Sequence, residues 1–470
     1  MTRSAQWPLA PLASMLALAG CMPAHVPPPA LSSVAAPAGW RDTESGNARI
    51  DLHWWEAFGD PVLTRLVETA LTRNTDVLAA AARIEEARAD ARIARAALGP
   101  TVNGVGSGQD SRSLGDTGVT RAFALQPEVQ LSWQVDLFGR LLRLRDAARL
   151  QYVASQADRD AVALSVAAET AQAYIGLTAL DAQLIVSQET VTSRIEALRL
   201  ATDQASVGYI SQFELTQAQS EYEVVQQSIP RIQLAIQAQE NALSRLTGDL
   251  PAPVTRGNGL RAITPPVVPA TLPSDLLRRR PDIVSAELGV AAADAALAAD
   301  RAAFLPQVSL SAGFGQLFVD ALDYDPVTVW SLGGSILAPI FASGRLTAQV
   351  DASTARRDQA AFAYRGAVLA GFGEVETALT GVKRYAEQID RVRNRREILL
   401  RSVSLATDRY RGGYASYLEQ LDAQRSLYAT ELDAISVRQE QLANIITLYR
   451  ALGGGWTDQS IERAASAPGR

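Results

Sequence analysis

From Gln126 to Leu137 polar and apolar residues alternate, with Glu128, Gln130, Ser132, Gln134 and Asp136 on one side and Val129, Leu131, Trp133, Val135 and Leu137 on the other. A period of two predicts a β-strand with one wet and one greasy face. Its predicted partner is Thr101 to Gln109, joined through the Gly-, Ser- and Asp-rich stretch 106–118. A second hairpin is predicted at Gln307 to Phe314, with Val308, Leu310, Ala312 and Phe314 on one face, returning through Val327 to Ile340 after a turn at 320–326. Gly333-Gly334 interrupts the alternation in that return strand and leaves its facing open.

Long helix lies between the hairpins. Gly139 to Val207 and Gly344 to Arg411 are rich in Ala, Gln, Arg and Glu and lack proline. About 68–69 residues each at ~1.5 Å rise give helices of ~100 Å. Shorter helical arms are predicted from Pro61 to Gly99 and from Tyr209 to Gly248, the latter kinked at Pro230. Frequent alanine permits close helix packing, and polar residues on more than one face suit a hollow helical cylinder.

These elements occur twice. Asn74-Thr75-Asp76-Val77 returns as Arg280-Pro281-Asp282-Ile283, Leu137-Phe138-Gly139-Arg140 as Ile340-Phe341 with Gly344-Arg345, Gly208-Tyr209 as Gly413-Tyr414, and Gln219 as Gln424. Residues 62–248 and 268–453 are therefore two tandem repeats, each of long helices plus a β-hairpin (about 101–137 and 307–340), joined by a linker at 249–267. Four strands cannot close a barrel, since single-chain bacterial barrels start at about eight. Three copies supply about twelve, so the strand count itself argues for a trimer.

The N-terminus sets the compartment. Residues 1–20 carry a lone Arg3 and an apolar run from Leu12 to Gly20, too short to span a bilayer and right for a signal peptide. Leu18-Ala19-Gly20-Cys21 resembles a bacterial lipobox, which makes Cys21 the lipidation site and 21–61 a lipidated N-terminal linker. Met22 follows Cys21, which favours the outer membrane. Cys21 is the only cysteine, so no intrachain disulfide can form. Beyond the leader no apolar stretch is long enough for a spanning helix, so any membrane-crossing part is β. A tail at 454–470 follows the second repeat.

Composition narrows the function. A formal charge of −6 argues against a nucleic-acid partner. The only histidines are His25 and His53, so neither a His/Cys metal site nor a His-based catalytic triad can be assembled. Carboxylate pairs such as Glu85-Glu86 read as solvated helix faces. The expectation is no enzyme, no cofactor and no metal.

The string Leu272-Pro273-Ser274-Asp275-Leu276-Leu277-Arg278-Arg279-Arg280-Pro281-Asp282-Ile283 with Ala286-Glu287 closely resembles the signature of outer-membrane efflux proteins of the TolC/OprM type, among them NodT-type lipoproteins of RND efflux systems. Trp54-Trp55 with Phe58-Gly59-Asp60-Pro61, Pro339-Ile340-Phe341 with Gly344-Arg345-Leu346, Glu374-Val375-Glu376, and Leu421-Asp422-Ala423-Gln424 resemble it too. The resemblance runs from Cys21 to about Gly455. It implies a mainly α fold with a membrane β-barrel, assembled as a homotrimeric α-barrel/β-barrel duct among outer-membrane lipids. The duct would meet a periplasmic adaptor and an inner-membrane RND-type pump, and pass drugs and other small toxic molecules. Type I protein secretion and metal-ion efflux are the alternatives.

Site residues follow from the same resemblance. Val207-Gly208-Tyr209 and Gly412-Gly413-Tyr414 stand where each long helix turns back; glycine there allows positive φ, and the family's corresponding tips meet the adaptor. Glu419 and Asp422, three apart on one helix face, match acidic residues of the family's periplasmic mouth. Tyr410 matches its gate tyrosine, and Glu214 falls where that tyrosine's acidic partner is expected. Where the family carries an arginine near this tip, this chain has Ala415.

Overall fold

The computed structural model describes residues 27–41, 50–115, 118–268, 273–320 and 326–457. The leader, Cys21 and residues 458–470 lie outside them. Among the described residues thirteen main elements follow in order: α1 (Pro61–Arg73), α2 (Thr75–Ala96), β1 (Thr101–Gly115), β2 (Gly118–Val135), α3 (Arg140–Ser206), α4 (Gln212–Gln226), α5 (Ser228–Leu246), α6 (Pro273–Arg279), α7 (Pro281–Ala302), β3 (Gln307–Val319), β4 (Val327–Leu337), α8 (Arg345–Arg411) and α9 (Tyr417–Ala451). The two halves repeat one order, and both long helices are 67 residues without a break. Among the described residues no helix is long and apolar enough to cross a membrane.

Three departures from the sequence-based expectation have local causes. The arm expected from Pro61 to Gly99 is two helices, because Asn74 leaves the helical region (φ −61°, ψ 132°) and caps the second one. Its Oδ1 accepts from the amides of Asp76 (2.9 Å) and Val77 (3.3 Å). The arm containing Pro230 is also two helices. Proline lacks an amide and its ring presses on the carbonyl four residues back, which is Gln226, the last residue of α4. α9, its counterpart, has no proline and runs unbroken for 35 residues. Finally, the stretch 106–118 expected as a loop is strand up to Gly115 and again from Gly118, since Thr101 to Gly115 pairs in register with Gly118 to Ser132.

The chain divides into two compact units. One comprises residues 27–34, 83–155 and 285–365 of the described chain and holds the four-stranded antiparallel sheet, in the order β1-β2-β3-β4. β1 and β4 each have one neighbour, so two edges are left with unpaired backbone groups. The register settles the facing left open in the second hairpin. Trp133 pairs with Leu310, which pairs with Gly334; Val129 pairs with Phe314, which pairs with Trp330. Directly paired residues share a face, so Trp330, Leu332, Gly334 and Ile336 join Val129, Leu131 and Trp133 in one apolar surface. That surface is open, with Trp330 76% and Leu332 79% exposed. Ser132, Gln134, Ser309, Ser311 and Ser335 line the opposite face, where Gln134 donates to Gln307 across 3.0 Å.

The other unit comprises residues 35–82, 156–284 and 366–457 of the described chain. Its core gathers Trp54, Trp55, Phe58, Leu63, Tyr174, Ile175, Leu243, Leu442 and Ile446. Asp60 caps α1 through the amides of Val62 (2.8 Å) and Leu63 (3.2 Å), and its other oxygen accepts from the Tyr174 hydroxyl at 3.0 Å. Burial first, and Asp60's charge with it, push the Tyr174 phenol well above its ordinary pKa. The Arg280-Pro281-Asp282 signature is a buried junction. Arg280 donates bidentately to Asp282 (3.0 and 2.7 Å), to Glu374 (2.7 Å) and to the carbonyl of Ala451 (3.2 Å). Burial opposes its charge, but the two carboxylates outweigh it and the pKa is raised.

Candidate functional site

The long helices end in matching caps. In the first repeat Tyr209 donates its amide to the Gln204 carbonyl (2.8 Å) and Gly208 to that of Ala205 (3.1 Å). In the second, Tyr414 donates to Arg409 (2.8 Å) and Gly413 to Tyr410 (3.0 Å). Both are Schellman ends, which need a residue at positive φ; Gly208 stands at +73° and Gly413 at +74°. Each return helix then starts at a serine, Ser211 or Ser416, that accepts from the amide three residues on, Glu214 (3.2 Å) or Glu419 (3.4 Å). The glycines leave aromatic and aliphatic side chains in solvent. Tyr209 is 73% exposed and Tyr414 82%, with Val207, Phe213 and Leu418 exposed beside them.

Glu214 and Tyr410 do not meet as expected. The Tyr410 hydroxyl donates to Gln204 Oε1 at 3.0 Å. Glu214 instead turns back on its own helix end, where its Oε2 accepts from the Ser211 amide (3.0 Å) and hydroxyl (3.2 Å), completing a capping box. A free amide one turn away outcompetes a phenol on another helix. Glu214 still acts at a distance, because burial and then its negative charge raise the Tyr410 pKa. Glu419 lies 3.3 Å from the Arg409 guanidinium, so an arginine at a different position supplies the cation that Ala415 does not. Asp422 is exposed one turn further along α9.

Behind these residues the packing changes from apolar to ionic. Ala201, Ala218, Tyr417 and Leu421 form a small buried cluster with Leu198, Leu215 and Tyr410 around it, the rings of Tyr410 and Tyr417 being 5.7 Å apart. One turn higher sit Arg194 and Glu221, both nearly fully buried. Glu221 accepts from Arg425 Nε at 2.8 Å, and Arg194 donates to Gln424. Burial lowers the Arg194 pKa against the pull of Glu221, while the bond to Glu221 raises that of Arg425. Gln204, Arg194, Glu221 and Arg425 escaped the sequence reading. A signal existed for part of it: Arg194, Leu198 and Ala201 fall on one helical stripe, as do Tyr417, Leu421 and Gln424.

A sheet with a lipid-compatible face and two open edges, together with long unbroken helices ending in paired tips, defines one subunit of an outer-membrane channel. Comparison agrees. The family model described as outer membrane efflux protein matches residues 66–249 and 272–454. The probable efflux pump outer membrane protein TtgC of Pseudomonas putida is 34% identical over 457 residues, covering 94% of each chain. The pyoverdine export outer membrane protein OpmQ of Pseudomonas putida is 33% identical, over 95% of this chain and 97% of its own. The solved structure of the outer-membrane channel OprN superimposes with a TM-score of 0.85 at 27% identity, over 92% of this chain and 99% of that one. The chain belongs to the outer membrane efflux protein family, and it is the outer-membrane channel component of an efflux system.

Proposed function

We propose that this chain forms a homotrimeric duct that passively conducts small toxic organic molecules, delivered by an inner-membrane RND-type pump through a periplasmic adaptor. The observation that carries the reading is the single apolar face shared by both hairpins between two unpaired edges. Such a sheet is satisfied only when copies pair edge to edge in lipid, and three copies make about twelve strands. Glu419 and Asp422 would then ring the periplasmic mouth with carboxylates and favour cations. The tips at Val207-Gly208-Tyr209 and Gly412-Gly413-Tyr414 offer rigidly capped aromatic side chains to the adaptor. Cys21 would carry the acyl chains.

Relatives of nearly equal identity bear different cargo in their names, toluene in one and pyoverdine in another, so the shared fold does not by itself set the cargo. Deletion of the gene tests the reading. Tolerance to drugs and solvents should fall while the set of secreted proteins stays the same, and loss of a secreted protein with unchanged tolerance would overturn it.

A further inference from the structure

Within the sheet-bearing unit, the segment that follows Cys21 lies against α8. Arg365 Nη1 donates to the carbonyls of Leu31 (2.5 Å) and Ser33 (2.8 Å), and Arg357 Nη2 to that of Pro27 (3.4 Å). The Arg357 side chain is wholly buried and is set by Asp358 at 2.8 Å and Asp294 at 3.8 Å. Ser32, at the end of a 3-10 turn over Ala30–Ser32, donates to the Pro29 carbonyl at 2.7 Å. Ser33, which follows that turn, has extended backbone. Two guanidinium groups thus hold three carbonyls of a proline-rich strap that contributes no side chain to the sheet or to the tips. Followed towards the N-terminus, the strap moves from Arg365 to Arg357, that is, towards the start of α8.

The start of α8 follows the strand ends. The strands finish at Val135 and Leu337, and just beyond them Leu137, Phe138, Ile340 and Phe341 are exposed. Apolar and aromatic side chains at strand ends mark the interface between hydrocarbon and water. Roughly twelve residues of helix from Arg345 to Arg357 rise ~18 Å. The roughly six residues from Cys21 to Pro27 can extend no more than ~20 Å. The two lengths match with almost no slack.

We propose that residues 27–33 are a strap, clasped by Arg357 and Arg365, that fixes how far the acylated Cys21 can reach and so holds its acyl chains at the strand-to-helix junction. The proposal rests on the reading of Cys21 as the lipidated residue. Its consequence is that the linker before the clasp has a minimum length, whatever its sequence.

The test uses the full chain in its own outer membrane, with acylation of Cys21 checked by mass spectrometry and assembly read as the yield of detergent-resistant trimer. Deleting residues 23–25 shortens the reach by ~10 Å and should lower the trimer yield several-fold. Inserting Gly-Ser-Gly after Val26 in the shortened chain should restore it, because length and not sequence is at issue. Arg357→Gln with Arg365→Gln in the shortened chain should restore it in part, because only the two together release Pro27, Leu31 and Ser33. Normal assembly of an acylated shortened chain, or no relief from the Gly-Ser-Gly insertion, would overturn the strap. An unacylated mature N-terminus would overturn the lipidation reading itself.

Discussion

Arg280 donates to the carbonyl of Ala451 at 3.2 Å, and the first repeat makes the same contact with a different side chain, Asn74 donating to the carbonyl of Leu246 at 3.0 Å. Each donor stands at the break between two helices of one arm and holds the last turn of the helix that returns to it. The second repeat adds charge to this joint through Asp282 and Glu374.

Arg280→Ala should therefore destabilise the protein more than Asn74→Ala. Breaking a buried ion pair costs about 3–5 kcal/mol, and the partial exposure of both carboxylates lowers the expectation to about 2–4. Asn74→Ala loses a cap and one hydrogen bond, about 1–2 kcal/mol. Arg280→Lys should recover less than half of the loss, since an ammonium cannot bond bidentately to Asp282 while reaching Glu374. Thermal melting of purified trimers gives the order, and equal midpoints for Arg280→Ala and Asn74→Ala would refute it.

The sheet's facing is testable at Leu332, the middle residue of β4. Leu332→Arg should cost about 2–4 kcal/mol of insertion, whereas Ser331→Arg on the other face should be tolerated. Trp133 is a weaker probe. It lies two residues before the end of β2, and its indole nitrogen donates to the Leu98 carbonyl at 2.9 Å. Trp133→Asp should accordingly cost only about 1–2 kcal/mol, because the penalty for charge fades towards the interface. Refolding into lipid vesicles, scored as folded fraction, separates the three variants.

The hairpins were legible because Val129, Leu131, Trp133 and Val135 alternate with polar residues, and the long helices because no proline interrupts them. The outer half of β1 was not. Asp110, Ser111, Ser113 and Gly115, beyond the predicted end at Gln109, carry loop composition, yet a barrel strand is held by its ladder bonds and needs no core-filling side chains. At the tips, Ser211 with Glu214 and Ser416 with Glu419 follow the serine-to-glutamate spacing of a capping box, a local signal that places Glu214 on its own helix end. The bonds from Tyr410 to Gln204 and from Arg194 to Gln424 join residues of different repeats. No periodicity within one helix contains them.

Docking at the tips separates from helix capping by choice of substitution. Tyr209→Ala and Tyr414→Ala leave the Schellman backbone bonds in place and remove exposed aromatic area. Both together should abolish efflux while trimers remain. Gly413→Ala should instead cost about 1–2 kcal/mol from an L-residue at positive φ, with efflux reduced only as far as folded protein is lost. Efflux assays normalised to trimer content distinguish these, and full efflux by the tyrosine double variant would leave the tips as caps alone.

The gate proposed at the tips would have two layers that fail differently. Tyr410 and Gln204 form a neutral hydrogen bond worth about 1 kcal/mol, roughly a five-fold shift between closed and open forms per protomer. Tyr410→Phe and Gln204→Ala should raise resting conductance in planar bilayers by similar amounts, and the double variant should add little to either. Glu214→Gln should do less, since its carboxylate is spent on Ser211. The Tyr410 pKa is raised, so the folded state favours the protonated hydroxyl. Its contribution is thus complete below the ordinary phenol value of about 10 and is lost only as pH rises through the higher folded value, leaving the latch flat from pH 6 to 9. In the proposed mouth Glu419 and Asp422 would act on cations rather than on closure. Asp422→Ala with Glu419→Ala should weaken block by multivalent cations, and Arg409→Ala should strengthen it by freeing Glu419 from its 3.3 Å ion pair. Block unchanged by Arg409→Ala and by the acidic double variant would take both carboxylates out of the mouth, and additive effects of Tyr410→Phe and Gln204→Ala would dissolve the latch.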